Sequence, residues 1–354
     1  MRGSKIGDVE KRFGLAYRLA LLATIVAATV VVLGAFTRLV DAGLGCPDWP
    51  GCYGHLMWPN EAHEIARANE RFPDASVEVD KTWPEMVHRY FASTLGLIIL
   101  CLAILAWRYR ETGNFPFRLP LLLLFLVVWQ GMFGMWTVTL KLWPQVVTMH
   151  LLGGVSIFSL LWLLTMRLAN VCWVLTDSSW QKLKKYRAWL VGAVVIVFIQ
   201  IALGGWVSSN YAAFACADFP RCGGQWLPQM ELAAGFDILQ SVGPNYLGGL
   251  MTSDARVAIH FMHRIGALIT CFYLVGFCLA LLLVGDRRVS RMATIIFIAL
   301  LVQISLGISN VLLAIPLPVA VLHNAGGALL MLTLVTLGVK MWTADKPMED
   351  ALHE

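Results

Sequence analysis

The sequence predicts an all-α membrane protein of eight transmembrane helices, arranged as two tandem four-helix bundles of the same topology. Three observations predict it. Charged residues make up only 14% of the 354-residue chain, against about a quarter in a soluble domain. Mean hydropathy is +0.69, and eight apolar stretches each approach the roughly 20 residues needed to cross a bilayer. The second half of the chain also repeats the first, marker by marker.

The apolar stretches cover 15–38, 86–107, 117–140, 145–167, 188–208, 255–284, 292–314 and 318–342. The first exceeds a signal-peptide core and no small-residue cleavage site follows it, so it is expected to stay as a helix. Lys and Arg gather in alternate connections. Arg2, Lys5, Lys11, Arg12 and Arg18 precede the first helix, and Arg108, Arg110 and Arg118 separate the second from the third. Arg167, Lys182, Lys184, Lys185 and Arg187 flank the fourth connection, Arg287, Arg288 and Arg291 the sixth, and Lys340 and Lys346 close the chain. The positive-inside rule makes these segments, and both termini, cytoplasmic. That topology accounts for the net charge of +5 without a nucleic-acid partner.

The opposite side carries two long connections. The first, 39–85, is polar, acidic and expected to be partly helical. The second, 209–254, is glycine-rich and more apolar. Its Tyr211, Phe214, Phe219, Trp226, Leu227 and Leu250 suit it to lie against the membrane or to cover a site. Each connection holds a cysteine pair, Cys46/Cys52 and Cys216/Cys222, where an oxidising compartment permits disulfides. Cys101, Cys172, Cys271 and Cys278 read as small apolar packing residues.

The repeat divides the chain at 170/171, into 1–170 and 171–354. Cys46-Pro-Asp-Trp-Pro-Gly-Cys52 matches Cys216-Ala-Asp-Phe-Pro-Arg-Cys222, and Glu85-Met-Val-His88-Arg89 matches His260-Phe-Met-His263-Arg264. Gln130 and Gly134 sit where Gln303 and Gly307 sit, and His150-Leu-Leu-Gly153-Gly154 matches His323-Asn-Ala-Gly326-Gly327. Four helices per unit, an even number, give the copies one topology. This argues against the inverted repeats common in secondary transporters.

Five of the eight histidines fall in helices: His88, His150, His260, His263 and His323. His55 and His63 lie in the first long connection and His353 in the tail. An ionisable group inside a membrane helix is costly and marks function by default. Four of the five occupy duplicated positions, and all four lie within roughly 15 Å of the same membrane face. A pair of facing imidazoles can supply both axial ligands of a haem. Glu85 beside His88 and His150 leaves a metal site of the zinc kind open in the first half. Gly153/Gly154 and Gly326/Gly327, one turn below, are expected to give a haem room. Arg89 and Arg264 either pair with haem propionates or snorkel to the interface. Glu85, which shares a face with His88, either handles protons or is a favourable acid at a helix start. Its replacement by His260 in the second copy argues for different duties: reaction in the first half, a resident cofactor in the second.

These residues together resemble the haem A synthase family, membrane enzymes of cytochrome oxidase assembly. Glu85-x-x-His88-Arg89, His150, His263-Arg264, His323 and the two cysteine pairs carry the resemblance, which spans about 15–342. It implies oxidation of the C8 methyl group of haem O to a formyl group by successive hydroxylations. It implies that His263 and His323 ligate a prosthetic haem B iron, and that His88 and His150 flank or ligate the iron of the substrate haem O. Glu85 would assist the chemistry, Arg89 and Arg264 would help bind the cofactors, and the cysteine pairs would be redox-active or structural. His260 leaves the identity of one ligand open beyond the repeat alignment. A haem O synthase partner, a bacterial inner-membrane location with periplasmic-side haem sites, and homo-oligomerisation are further expectations. The alternatives are a di-haem b-type electron carrier and a haem transporter or chaperone, neither of which needs Glu85.

Overall fold

The computed structural model describes residues 2–111 and 116–345, with side chains from residue 14 onward. The side chains of Arg2, Lys5, Lys11 and Arg12, together with Lys346 and His353, lie outside the described residues. Among those described, the chain forms helices and no named strand. Helix α1 (Arg2–Leu39) is followed by the short α2 (Ala62–Arg71), then α3 (Val79–Arg108), α4 (Arg118–Thr139) and α5 (Pro144–Leu168). A short α6 (Asp177–Lys185) leads into α7 (Arg187–Ser209), the single turn α8 (Leu232–Gly235), α9 (Ser253–Leu282), α10 (Arg287–Leu312) and α11 (Leu317–Trp342). Eight of these are long and apolar enough to cross a membrane.

Several helix starts follow ordinary capping chemistry. Thr252 accepts from the Ala255 N–H at the start of α9, and the Asp286 carboxylate accepts from the Arg288 and Val289 N–H groups at the start of α10. Proline sits in the first turn of α5 and α11, where its missing N–H is no loss. Two elements differ from the sequence expectation. Helix α3 begins at Val79 and runs through Pro84; a proline this near a helix start breaks few intrahelical bonds, so it does not mark the boundary. Helix α6 occupies the basic fourth connection, capped by Thr176 and opened by Asp177. Cys278 is buried as expected of a packing residue, whereas Cys101 and Cys172 are exposed.

Helix α1 packs on α3 and α5, and α4 packs on α3 and α5. In the same order, α7 packs on α9 and α11, and α10 packs on α9 and α11. The two sets meet where α1 and α5 contact α11 and where α5 contacts α7. Helix α5 is therefore central: 44% of its apolar window is buried, against 11% for α4 and for α10, which lie at the rim. Ile99, Leu161 and Leu164 from the first set share one apolar cluster with Leu190, Leu274 and Leu334 from the second. The turns repeat as well. Asp41 and Tyr211 both adopt left-handed backbone, as do Lys141-Leu142 and Ala314-Ile315.

Both long connections emerge at the end of the bundle where α3, α5, α9 and α11 begin. Each is closed by a disulfide, Cys46–Cys52 and Cys216–Cys222. In the first connection, His55 is half-buried and His63 exposed. In the second, Phe214, Trp226, Leu227 and Leu250 expose more than half of their surface.

Candidate functional site

The four duplicated histidines stand near the disulfide end of the bundle. His88 is nine residues into α3, His150 six into α5, His263 ten into α9 and His323 six into α11. At 1.5 Å per residue these depths are about 9–15 Å. The His88 and His150 rings face each other with centroids 6.5 Å apart, inclined at 78°. Two imidazoles that each reach one metal through a bond of about 2 Å have centroids roughly this far apart. His263 and His323 lie within electrostatic range of each other.

A glycine on the preceding membrane helix lies against each ring. A Cβ at Gly34, Gly134, Gly204 or Gly307 would stand 2.9, 3.3, 3.2 or 3.0 Å from the Cε1 atom of His88, His150, His263 or His323. All four histidines keep some accessible surface despite their depth in the bundle, so they line open space. The Nδ1 atoms of His88, His150 and His323 are buried without a partner. Facing rings with open space beside them fit axial ligation of a haem.

The glycines expected to make room below the rings do something else. The side chain of Gln130 rests on Gly153 and that of Gln303 on Gly326, each where a Cβ would collide. Gln130 Nε2 donates to the His150 carbonyl at 2.5 Å, and Gln303 Nε2 to the His323 carbonyl at 2.9 Å. Gln200, which the sequence reading did not single out, does the same for His263 at 3.0 Å, also approaches its Nδ1 at 3.1 Å, and rests on Gly266.

The two arginines are engaged with the disulfide loops. Arg89 Nη1 donates to the carbonyls of Asp48, Pro50 and Gly51, at 3.1, 3.3 and 2.7 Å, and its Nη2 pairs with Glu85. Arg264 donates to the carbonyls of Cys216, Asp218 and Arg221 at 2.8, 2.9 and 2.8 Å. Its Nε is buried and unpartnered, which leaves one donor for an anionic group. Each guanidinium thus ties a cysteine loop to the helix that bears a histidine. Inside the loops, carboxylates close the turn: Asp48 accepts from the Tyr53 and Gly54 N–H groups, Asp218 from Gly223 and Gly224. The Gly224 and Gly223 amides hold the Asp218 carboxyl below its usual range. Burial, with Glu78 nearby, raises the Tyr53 phenol.

Glu85 and His260 occupy equivalent stations and are both buried. Glu85 accepts from the Cys46 N–H at 2.9 Å and pairs with Arg89, so its carboxylate is turned to the disulfide loop. Among the described residues no group of three His, Cys, Asp or Glu stands ready to hold a metal ion. His260 Nδ1 donates to the Ala212 carbonyl at 3.1 Å. It is fixed to the loop, while His263 is the histidine that faces Gly204.

Comparison with known proteins adds an independent line. A family model described as "Cytochrome oxidase assembly protein" matches residues 17–335. The chain is 46% identical to a protein named "Heme A synthase" from Shewanella oneidensis, over 88% of this chain and 92% of that protein. Proteins of the same name from Mesorhizobium japonicum and Rickettsia bellii are 29% and 26% identical, over 86% and 92% of this chain and 84% and 96% of theirs.

Proposed function

The chain belongs to the cytochrome oxidase assembly protein family, and from that membership we propose that it is a haem A synthase, an oxidase that converts the C8 methyl group of haem O to a formyl group. Successive hydroxylations at that carbon, with loss of water from the last product, account for the change. Substrate and product both carry a long apolar tail. A bundle whose helices α4 and α10 lie at the rim and face lipid suits their exchange within the bilayer.

The observation that carries the assignment to residues is the asymmetry between two otherwise matched histidine pairs. In the first half, 1–170, His88 and His150 flank the haem O iron. Glu85 lies on the same helix three residues from His88 and is the proton acceptor closest in sequence to it. Arg89 offsets the carboxylate charge and Cys46 N–H fixes its orientation, so the group is held ready. In the second half, 171–354, His263 and His323 hold haem B, with the free Arg264 Nε suited to a propionate. Haem B supplies a one-electron relay when bound. His260 holds the loop and carries no proton in the reaction. The disulfides Cys46–Cys52 and Cys216–Cys222 brace the loops that Arg89 and Arg264 fasten over the sites.

The clustering of Lys and Arg at the end away from the disulfides supports cytoplasmic termini and sites toward the periplasmic side of a bacterial inner membrane. Delivery of so apolar a substrate favours hand-over from a haem O synthase in the same membrane, and small residues on the membrane helices permit homo-oligomers. Expression beside a haem O source, followed by chromatography of extracted haems, tests the activity. Haem A or its hydroxylated precursor is expected. Unchanged haem O alongside an intact low-spin haem spectrum would mean an electron carrier instead.

A further inference from the structure

The repeat is finer than half on half. Each of the four helix pairs α1–α3, α4–α5, α7–α9 and α10–α11 sets a glycine of its first helix against a histidine ring of its second. Three pairs add a second layer one turn deeper. Gln130, Gln200 and Gln303 stand four residues before that glycine, and Gly153, Gly266 and Gly326 stand three after the histidine. In each, the amide lies on the deeper glycine and donates to the carbonyl of the histidine itself. The α1–α3 pair departs from this. Val30 stands at the glutamine position and Phe91 at the glycine position. Among the described residues no side chain donates to the His88 carbonyl, and Phe91 is 40% exposed. A surface cleft of about 580 Å³, lined by Phe36, Val40, Trp83 and the charged 78–81 segment, opens at the disulfide end of this pair.

A carbonyl in a helix has two lone pairs and uses one in the helical ladder. The glutamine takes the second and pins the backbone of the histidine to the neighbouring helix. With water excluded, the amide has few other partners, so the pin persists. It fixes the base of the side chain, while the glycine against the ring limits its swing.

We propose that Gln130, Gln200 and Gln303 are positioning residues that lock His150, His263 and His323, and that the missing lock makes His88 the one ligand of the four that yields, so the first site exchanges its haem on the His88 face. This rests on the reading above that a haem sits between the histidines of each half. The second site is locked on both faces, as suits a resident group; the first is locked on one, as suits a substrate.

Carbon monoxide uptake tests it. A reduced haem held by two histidines takes up the gas only after one lets go, so the uptake rate reports ligand release. The full-length protein, purified with its resident haem and measured with and without loading by haem O, should show faster uptake at the haem O site. Gln303→Leu should speed uptake at the resident haem by about three- to twenty-fold, the factor expected for one interhelical hydrogen bond. Gly326→Ala should do the same, because its methyl displaces the amide while Gln303 remains; it carries the comparison if Gln303→Leu fails to fold. The double variant Val30→Gln/Phe91→Gly, which installs the fourth lock, should slow uptake at the haem O site by a similar factor. A variant that loses haem but keeps the wild-type helical melting profile also supports the lock. Rates within twofold of wild type in haem-bearing Gly326→Ala, or an unchanged haem O site in the double variant, would overturn the proposal. A purified protein with no low-spin haem dependent on His263 and His323 would instead overturn the underlying reading, and the lock with it.

Discussion

Glu85 and His260, at equivalent positions, each bond the backbone of the adjoining connection, Glu85 accepting from the Cys46 N–H and His260 donating to the Ala212 carbonyl. Glu85→Gln keeps an acceptor for the Cys46 N–H and removes the proton acceptor. Haem A formed per protein is expected to fall about 10²–10⁴-fold, the usual worth of a positioned acid or base, with bound haem unchanged by pyridine haemochrome. His263→Met should remove the resident haem from the reduced spectrum and stop turnover; conversion that continued without that haem would discard the relay. At Asp218 the expectation concerns pH. Its carboxyl is held low in the folded loop, so its contribution is fully present above pH ~4 and lost as pH falls below that range. Proteolysis of the 216–224 loop should rise in acid, and Asp218→Asn should flatten that dependence. The histidine and cysteine pairs stood out in the sequence because rare residue types recur there at matched spacing, and Glu85 because it breaks the repeat. Gln200 was not, because laying half on half puts Val30 opposite it and hides the match to Gln130 and Gln303.

The helices themselves were legible from their apolar length, and their ends less so. The apolar stretch begins at 86, yet α3 extends back through Pro84 to Val79. The polar α6 carried a capping signal, Thr176 followed by Asp177, that the basic cluster around it obscured. The close approach of helices within each pair was also hidden, since a glycine in sequence does not say which neighbour it meets. That approach sets a prediction for whole elements. Gly34→Ala and Gly307→Ala place a methyl against His88 and His323, whereas Gly276→Ala meets nothing within 4 Å. The first two should cost about 1–3 kcal/mol of overpacking and lower the haem content of the first and second site respectively. Gly276→Ala should leave haem content unchanged and raise the melting temperature slightly.

Across the whole molecule, the two sets of helices are joined by polar contacts as well as by a common core. Arg38 donates to the Tyr211 hydroxyl at 2.8 Å and to the Ser208 carbonyl at 2.6 Å, and Tyr211 donates to Asp41 at 3.0 Å. Tyr211→Phe keeps the ring beneath the guanidinium and should cost about 1 kcal/mol, read as a lower melting temperature with the haem spectrum intact. Trp162 Nε1 meets Thr336 Oγ1 at 2.8 Å, and the Thr148 and Ser209 hydroxyls lie 3.1 Å apart. None of these pairings was legible in the sequence, since each partner lies more than 60 residues from the other. A chain that enters the bilayer helix by helix meets the consequence during its own synthesis. Once α5 is inserted, the indole N–H of Trp162 lacks its Thr336 acceptor until α11 arrives, so the unfinished half is left adhesive along one side and the later helix is drawn to that side.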